Sequence, residues 1–548
     1  MKRISLLIYI FAAALSLSAQ STIEVAVMSI NDFHGGFVRD DFKGIPGAAS
    51  VVQTLDSLKQ IYPCNIVISA GDNFGGSYFY QATRNRTLFP QFFHDCGITL
   101  SGIGNHEFDE GQAQMMDCWK TGVSLRPAEW DMEYISANIR CDATSDMRTD
   151  GTSRPRFCKP YAVREIALPD GRKFIIAFIG LTTSSTPLQA SASKLKGLSF
   201  CGDVCAVLDS LARTPDYDAV RRANARLILT HQGTRMKQVQ RGTLTMLQPT
   251  WDDADSLQLT RLNDAQFSGI ISSHSHQPVC GTINELPYPI LQGCNCGKYI
   301  GVMKFTLDTA TLEVVNVEPL LVPVTPKRQF TPKAARLQAQ IDELLADTHT
   351  RAGTPIGDYL TTCRSDIPFD RVLMHHDQTR MGQLVTNAYA AAARQQQGFT
   401  ADDLIVGVTH IGSMRCGLSA GPVRVLDIGE VLPFDNAMRV FKVSGRQLRD
   451  IIDFGLHNER YGYLQFSHLT PTMDKKRHVK SLTYTRSDGS QVKITDKTVC
   501  YVVADEFLAG GGDGFDASLF PAAEEVQGLN MPHITDAFIN YLKTQPEI

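Results

Sequence analysis

Five short apolar runs, each closed at once by a polar, glycine-rich loop, constrain this chain more than any other feature. They are Ile23 to Ile30, Asn65 to Ser69, Ile98 to Ile103, Arg226 to Thr230 and Phe267 to Ser272. Runs of this length between turn signals read as buried strands. Amphipathic stretches with helical spacing, Ala48 to Ile61 and Gly202 to Thr214, lie among them. The alternation predicts an α/β layered domain, a class in which ligands bind beyond the carboxyl ends of the strands. With 548 residues, 43 % of them apolar and 20 % charged, the chain is too long for one core and has a soluble protein's composition, so two domains are expected.

Every predicted strand is followed by residues with metal-ligand chemistry. Asp32 and His34 follow the first, in NDFHGG, and Asp72 follows the second, in AGDNFGGS. Asn105 and His106 follow the third, in GNHEFD. His231 follows the fourth, in LTHQG, and His274 and His276 follow the fifth, in SSHSHQP. Taken singly, each is an ordinary capped turn or a hydrogen-bonded loop residue. Together the loops hold five of the chain's fourteen histidines. Carboxylate, imidazole and amide oxygen in one set suit borderline divalent ions such as Zn²⁺ or Mn²⁺, whereas Ca²⁺ prefers oxygen alone. Seven such ligands are too many for one tetrahedral ion and suit two ions that share a carboxylate. Two ions about 3.5–4 Å apart lower the pKa of a bridging water and clamp an in-line displacement at phosphorus. His106 then falls outside the ligand set. With Asp109 three residues on to orient it, it is placed to stabilise or protonate a leaving oxygen.

The ends and joints of the chain add context. Lys2 and Arg3 lead an apolar run, Ile4 to Leu17, closed by the small residues Ser18 and Ala19, which is the pattern of a signal peptide over residues 1–19. The expected mature chain begins near Gln20 and is exported, periplasmic or secreted, without a membrane anchor. A formal charge of −4 and no long basic run make nucleic acid and anionic membranes poor partners. Thirteen cysteines include the near neighbours Cys201/Cys205 and Cys294/Cys296, compatible either with disulfides or with small buried residues. Asp142 to Arg156 reads as a polar surface loop. The charged, alanine- and leucine-rich stretch from Pro332 to about Thr350 lies between proline-rich segments. It reads as a helical connector, residues 331–351, between domains at 20–330 and 352–548.

NDFHGG, GDNFGGS, GNHEFD, THQG and HSH occur in the order of the calcineurin-like metallophosphoesterases, and together with the second domain, over most of the mature chain, they resemble the exported 5′-nucleotidase and UDP-sugar hydrolase branch. The resemblance implies that Asp32, His34, Asp72 and His276 hold one metal. It implies that Asp72, Asn105, His231 and His274 hold the other, with Asp72 as the bridge and His106–Asp109 as the catalytic dyad. Ser273 stands where the family has the glycine of G-H-S-H, and Gln232 follows the fourth-strand histidine. In the second half, TRMGQLVTNAY resembles the family's arginine-glycine helix start and places Arg380 in a substrate-binding position. THIGSMRCG resembles the N-G-G-x-R region and keeps Arg415, with His410 in place of asparagine. VLPFDNAMRV supplies Phe434 and Asn436, and ADEFLAGGGDGF supplies Phe507 and Asp513. By analogy Phe507 and Phe434 sandwich a base, and Asp513 accepts hydrogen bonds from a ribose.

These readings give an expected function: hydrolysis of nucleotide phosphate esters by a metal-bound hydroxide, with two divalent ions such as Zn²⁺ or Mn²⁺ and a small-molecule nucleotide as partner. Alternatives within the superfamily act on 2′,3′-cyclic nucleotides, UDP-sugars or a thiosulfonate carrier. An alternative outside enzymology is an idle nucleotide- or metal-binding protein. Oligomeric state is not legible.

Overall fold

The computed structural model describes residues 22–548 apart from 42, 84–87, 113–131, 144, 146, 150–151, 242–243, 262–265, 284–285, 352, 435 and 459–461. The signal-peptide expectation therefore lies outside the described residues. Two six-stranded sheets form the N-terminal half. One has the order Val314–Pro323, Tyr299–Asp308, Thr22–Ile30, Asn65–Ser69, Ile98–Gly102, Glu133–Ile135. The other has the order Pro278–Thr282, Pro289–Gly293, Gly269–Ile271, Ala225–His231, Lys173–Thr182, Tyr161–Ala167.

The inner strands of both sheets pair in parallel; antiparallel strands close both edges of the second sheet and one edge of the first, whose other edge, Glu133–Ile135, is parallel to its neighbour. Their facing surfaces make one dry core. Val25, Val27, Ile68, Leu100, Met303 and Phe305 of the first sheet meet Phe174, Ile176, Phe178, Leu227, Leu229, Ile271 and Leu291 of the second. Each such side chain contributes about 1.5–3 kcal/mol through burial, so the register of both sheets is tightly held. All five apolar runs fold as strands, and their carboxyl ends open on one edge of this sandwich.

Helix Ala48–Ile61 covers the outer face of the first sheet with Val51, Val52, Leu55 and Leu58. The connector forms helix Pro332–Asp347, started by Pro332 and by Thr331, whose hydroxyl accepts from the Ala334 N–H. It is docked rather than free. Ala334, Leu337 and Ile341 are buried, it touches helix Ala48–Ile61, and Lys333 Nζ lies 2.7 Å from Asp56 Oδ1.

In the C-terminal half a four-stranded sheet has the order Met438–Ser444, Val499–Asp505, Ile405–Thr409, Gln465–Phe466. Helices Arg380–Arg394 and Gly445–Leu456 pack against it, and helix Ile534–Lys543 packs on the first of them. A separate three-stranded sheet holds Leu469–Met473, Val479–Thr485 and Gln491–Ile494. The two halves touch where helix Val425–Val431 meets helix Tyr78–Thr83. There Glu430 Oε1 accepts from Ser77 Oγ at 3.3 Å and from the Phe79 N–H at 3.1 Å. Among the described residues all twelve cysteines are free thiols, so neither Cys201/Cys205 nor Cys294/Cys296 is a disulfide here. No described helix is long and apolar enough to cross a membrane.

Candidate active site at the strand ends

The loops after the five strands bring Asp32, His34, Asp72, His231, His274 and His276 into one largely buried cluster, with Asn105 buried on the third-strand loop beside Gly104. Two triads could each hold a metal: Asp32, His34 and His276, and Asp72, His231 and His274. His34 Nε2 lies 2.9 Å from His276 Nε2 and 3.6 Å from Asp72 Oδ2. His231 Nε2 lies 3.0 Å from the same Asp72 oxygen and 3.8 Å from Asp32 Oδ1. Asp72 thus stands between the two triads.

This convergence is held by backbone that L-residues adopt reluctantly. Asp32, His34, Asp72, His274 and His276 all have left-handed φ, between 46° and 82°. Such conformations cost of order 1–3 kcal/mol each and persist where the surroundings over-determine them, typically at functional sites. Gly104 has a different reason to be glycine: a Cβ there would collide with Asp72 Oδ1 and His231 Cε1.

Partners outside the cluster aim the ring nitrogens inward. His34 Nδ1 donates to the Gly75 carbonyl at 3.2 Å and His231 Nδ1 to the Ala70 carbonyl at 3.0 Å, leaving each Nε2 turned to the carboxylates. This is how metal-binding imidazoles are usually oriented. Ser273 Oγ donates to Asp32 Oδ2 at 2.8 Å, which gives the serine in the H-S-H loop a role that glycine would lack.

The electrostatics and the hydrogen-bond census also fit a cation. Burial pushes His34, His274 and His276 below the ordinary histidine range, His274 to about 3, so they are neutral and able to ligate. Burial opposes charge on His231 too, but Asp72 and Asp32 outweigh it and raise its pKa to about 10. A positive charge is demanded at that spot, and a metal ion meets the demand as well as a proton does. Asn105 Oδ1 is buried with no hydrogen-bond partner, an arrangement costing about 1–3 kcal/mol unless a ligand satisfies it. The donor set and this orphaned oxygen fit divalent metal ions.

His106 sits beside the cluster. Its Nδ1 donates to Asp109 Oδ2 at 2.8 Å, and its N–H donates to Asp72 Oδ1 at 2.8 Å. Burial works against charge on this ring, but Asp109 and Asp72 prevail and its pKa is raised. Glu107, absent from the sequence-based site, is fully buried and accepts three backbone N–H groups. They come from Asp72 at 2.9 Å, Asn73 at 2.8 Å and Gly104 at 2.6 Å. It pins the second-strand loop to the third. The only signal in the sequence was a carboxylate between His106 and Phe108 that had no assigned task.

The C-terminal half reaches this cluster. Phe434 lies parallel to the His106 ring, with centroids 5.8 Å apart and planes 13° from parallel, and the Arg415 guanidinium is 5.8 Å from the Phe434 centroid. Arg415 acts electrostatically on His34, and Asp72 and Asp109 act on Arg415. Arg371 likewise acts on His276, whereas Arg380 is exposed and donates to Ser365 Oγ at 3.2 Å.

Phe507 stacks on His410, with centroids 5.3 Å apart and planes 25° from parallel. His410 has both ring nitrogens engaged, Nδ1 with Asp513 Oδ2 at 2.6 Å and Nε2 with Ser413 Oγ at 2.7 Å. It supports Phe507 and Asp513 rather than offering a free polar atom of its own. Asn436 gives its carbonyl to the Ile534 N–H at 3.1 Å. The 512–514 turn bearing Asp513 touches segment Thr186–Gln189, and the Gln189 amide lies 3.2 Å from His274 Nε2.

With this geometry in view, the chain can be set beside known proteins. The family described as "5′-nucleotidase, C-terminal domain" matches residues 360–519. A 5′-nucleotidase of Vibrio parahaemolyticus is 23 % identical, over 97 % of this chain and 91 % of that protein. Residues 360–519 thus carry a 5′-nucleotidase C-terminal domain, and the chain is similar over nearly its full length to 5′-nucleotidases. A cell wall protein of Listeria monocytogenes is 26 % identical, over 98 % of this chain and 69 % of that one. Two longer Bacillus subtilis relatives are spanned for only 40 % and 33 % of their length. The crystal structure of a 5′-nucleotidase precursor from Thermus thermophilus shares the fold, with a TM-score of 0.70, 21 % identity and coverage of 96 % and 97 %.

Proposed function

We propose that the chain is an exported, dinuclear phosphoesterase that removes phosphate from nucleotides, with its chemical domain at 20–330 and its nucleoside-recognising domain at 352–548. The observation that carries the reading is the placement of Asp72 between two His/Asp triads, with the His106–Asp109 pair beside them. Asp32, His34, Asp72 and His276 would hold one divalent ion and Asp72, Asn105, His231 and His274 the other. When bound, two such ions supply Lewis acidity and an activated water for displacement at phosphorus.

The remaining work falls to the chain. Asp109 fixes the His106 tautomer with Nδ1 protonated and favours the imidazolium, so Nε2–H can be given to the leaving oxygen. Phe434, parallel to His106 with centroids 5.8 Å apart, borders that ring from the C-terminal half. Arg415 supplies fixed positive charge beside the place where phosphate charge develops. Phe507 offers a base-stacking face, and Asp513 accepts from ribose hydroxyls. The names of the relatives and the matched C-terminal family support a nucleotide as the substrate.

A phosphoester panel tests this reading: nucleoside 5′-monophosphates, 2′,3′-cyclic nucleotides, UDP-sugars and a small aryl phosphate, each with added Mn²⁺ or Zn²⁺. The expected result is the highest kcat/KM on a nucleoside 5′-monophosphate. About two divalent ions per chain are expected, by analogy with two-metal phosphatases, with both occupancies lowered by Asp72→Asn. No phosphate release from any substrate with either metal would overturn the assignment.

A further inference from the structure

A second group of ligand-type side chains lies in the C-terminal half, outside the site described above. Asp453 is in the last turn of helix Gly445–Leu456, and His457 caps that helix four residues later. This spacing puts both on one helix face. His478 immediately precedes strand Val479–Thr485, which packs on the same helix.

The hairpin fixes the third residue against the other two. The Val479 N–H donates to Asp453 Oδ1 at 2.6 Å, and the His478 N–H donates to Asp474 Oδ1 at 3.0 Å. Both imidazoles turn Nδ1 toward Asp453. His478 Nδ1 is 3.0 Å from Oδ2, and His457 Nδ1 is 3.8 Å from Oδ1 and 2.7 Å from the Asp453 carbonyl. The rings lie face to face, with centroids 4.8 Å apart and planes 30° from parallel. One ligand atom from each residue falls within 4.8 Å of the others.

The cluster thus brings two imidazole nitrogens and one carboxylate oxygen to a single point. That is an N,N,O donor set matched to a divalent transition metal rather than to Ca²⁺ or Mg²⁺. We propose that Asp453, His457 and His478 form a further metal site, taking one Zn²⁺-like ion through the Asp453 carboxylate and the two Nδ1 atoms. To bind, each ring takes the Nε2–H tautomer, its Nδ1 proton moving to the solvent-facing Nε2, and acid competes with the ion for Nδ1. Water fills the remaining positions, because both rings are exposed.

The site lies behind the nucleoside segment. Phe454, next to Asp453, packs edge-on against Phe515 with centroids 4.9 Å apart. Asn458, next to His457, donates to the Asp513 carbonyl at 3.1 Å. An ion here therefore ties the helix end that supports Asp513 to the adjacent hairpin.

The test is a Zn²⁺ count on the full chain by equilibrium dialysis and elemental analysis, at about pH 7.5 and about pH 5, values that bracket the ordinary imidazole range. Wild type is compared with the His457→Gln/His478→Gln double variant and with His478→Gln alone, which removes only an exposed ring. At the higher pH both variants should hold one ion fewer than wild type, with aryl-phosphate turnover unchanged, and the deficit should vanish at the lower pH. Since only the difference is read, the result does not depend on how many ions the strand-end cluster holds. Equal ion content in the three proteins at the higher pH would overturn the proposal. So would a deficit in the double variant that His478→Gln does not share.

Discussion

Glu107→Gln tests how the strand-end loops are held together. Its carboxylate takes the Asp72 and Gly104 N–H groups on Oε2 and the Asn73 N–H on Oε1. A glutamine can present oxygen at only one of those positions. In the better orientation its oxygen keeps the Asp72 and Gly104 bonds, now to a neutral acceptor, and its NH₂ faces the Asn73 N–H. One hydrogen bond to a charged group, about 1.5–3 kcal/mol, is lost, and one buried donor is left unsatisfied at about 1–3 kcal/mol. An offset comes from the carboxylate itself, whose pKa is raised to about 7 by burial and by the charge of Asp72. The net cost is about 2–4 kcal/mol, carried by the two loops that position Asp72 and Asn105. Thermal unfolding of chelator-treated protein should show the transition of the N-terminal half several degrees lower. Protein purified without chelator should also retain less divalent metal than wild type. An unfolding midpoint within a degree or so of wild type, with full metal content, would refute the view that Glu107 clamps these loops.

Other expected outcomes separate binding from catalysis. His106→Ala should leave metal content nearly intact and lower kcat by on the order of 10²–10⁴. Because Asp109 helps raise the His106 pKa, the protonated ring persists to higher pH and activity is lost as pH rises through that pKa; Asp109→Asn should move this basic limb of the kcat–pH profile downward. Phe507→Ala should forfeit roughly 1–3 kcal/mol of stacking, reducing kcat/KM for a nucleoside monophosphate about 5- to 150-fold. The same variant should leave aryl-phosphate hydrolysis nearly unchanged, and equal damage to both substrates would make Phe507 a structural residue. His410→Ala removes a donor to Asp513 worth about 1.5–3 kcal/mol and should raise the nucleotide KM about tenfold or more. His410→Asn, which keeps a donor, should do so less, and a dideoxynucleotide, lacking the ribose hydroxyls, should be less sensitive to either change.

What could be read from the linear sequence was whatever depends on neighbours a few residues apart. The five apolar runs fold as strands, and Ala48–Ile61 folds as a helix with the bounds its spacing implied, because burial period and turn residues are local. Asp32, His34, Asp72, Asn105, His231, His274 and His276 could be named as a set because each follows a strand directly, and parallel strands deliver their carboxyl ends to one edge. Side-chain direction across long loops and between the two halves was not written locally. Glu107 looks like one more acid of a polar turn until the Asp72 and Gly104 N–H groups close around it. Arg380 starts helix Arg380–Arg394, and its hydrogen bond to Ser365 Oγ is a contact that its local pattern did not specify. Phe434 sits against His106, and His410 behind Phe507, because helix Val425–Val431 docks on Tyr78–Thr83 and brings the second half over the strand ends. Such placements depend on packing between residues hundreds of positions apart, where many sequences share a local pattern and only the assembled core selects which side chain points inward.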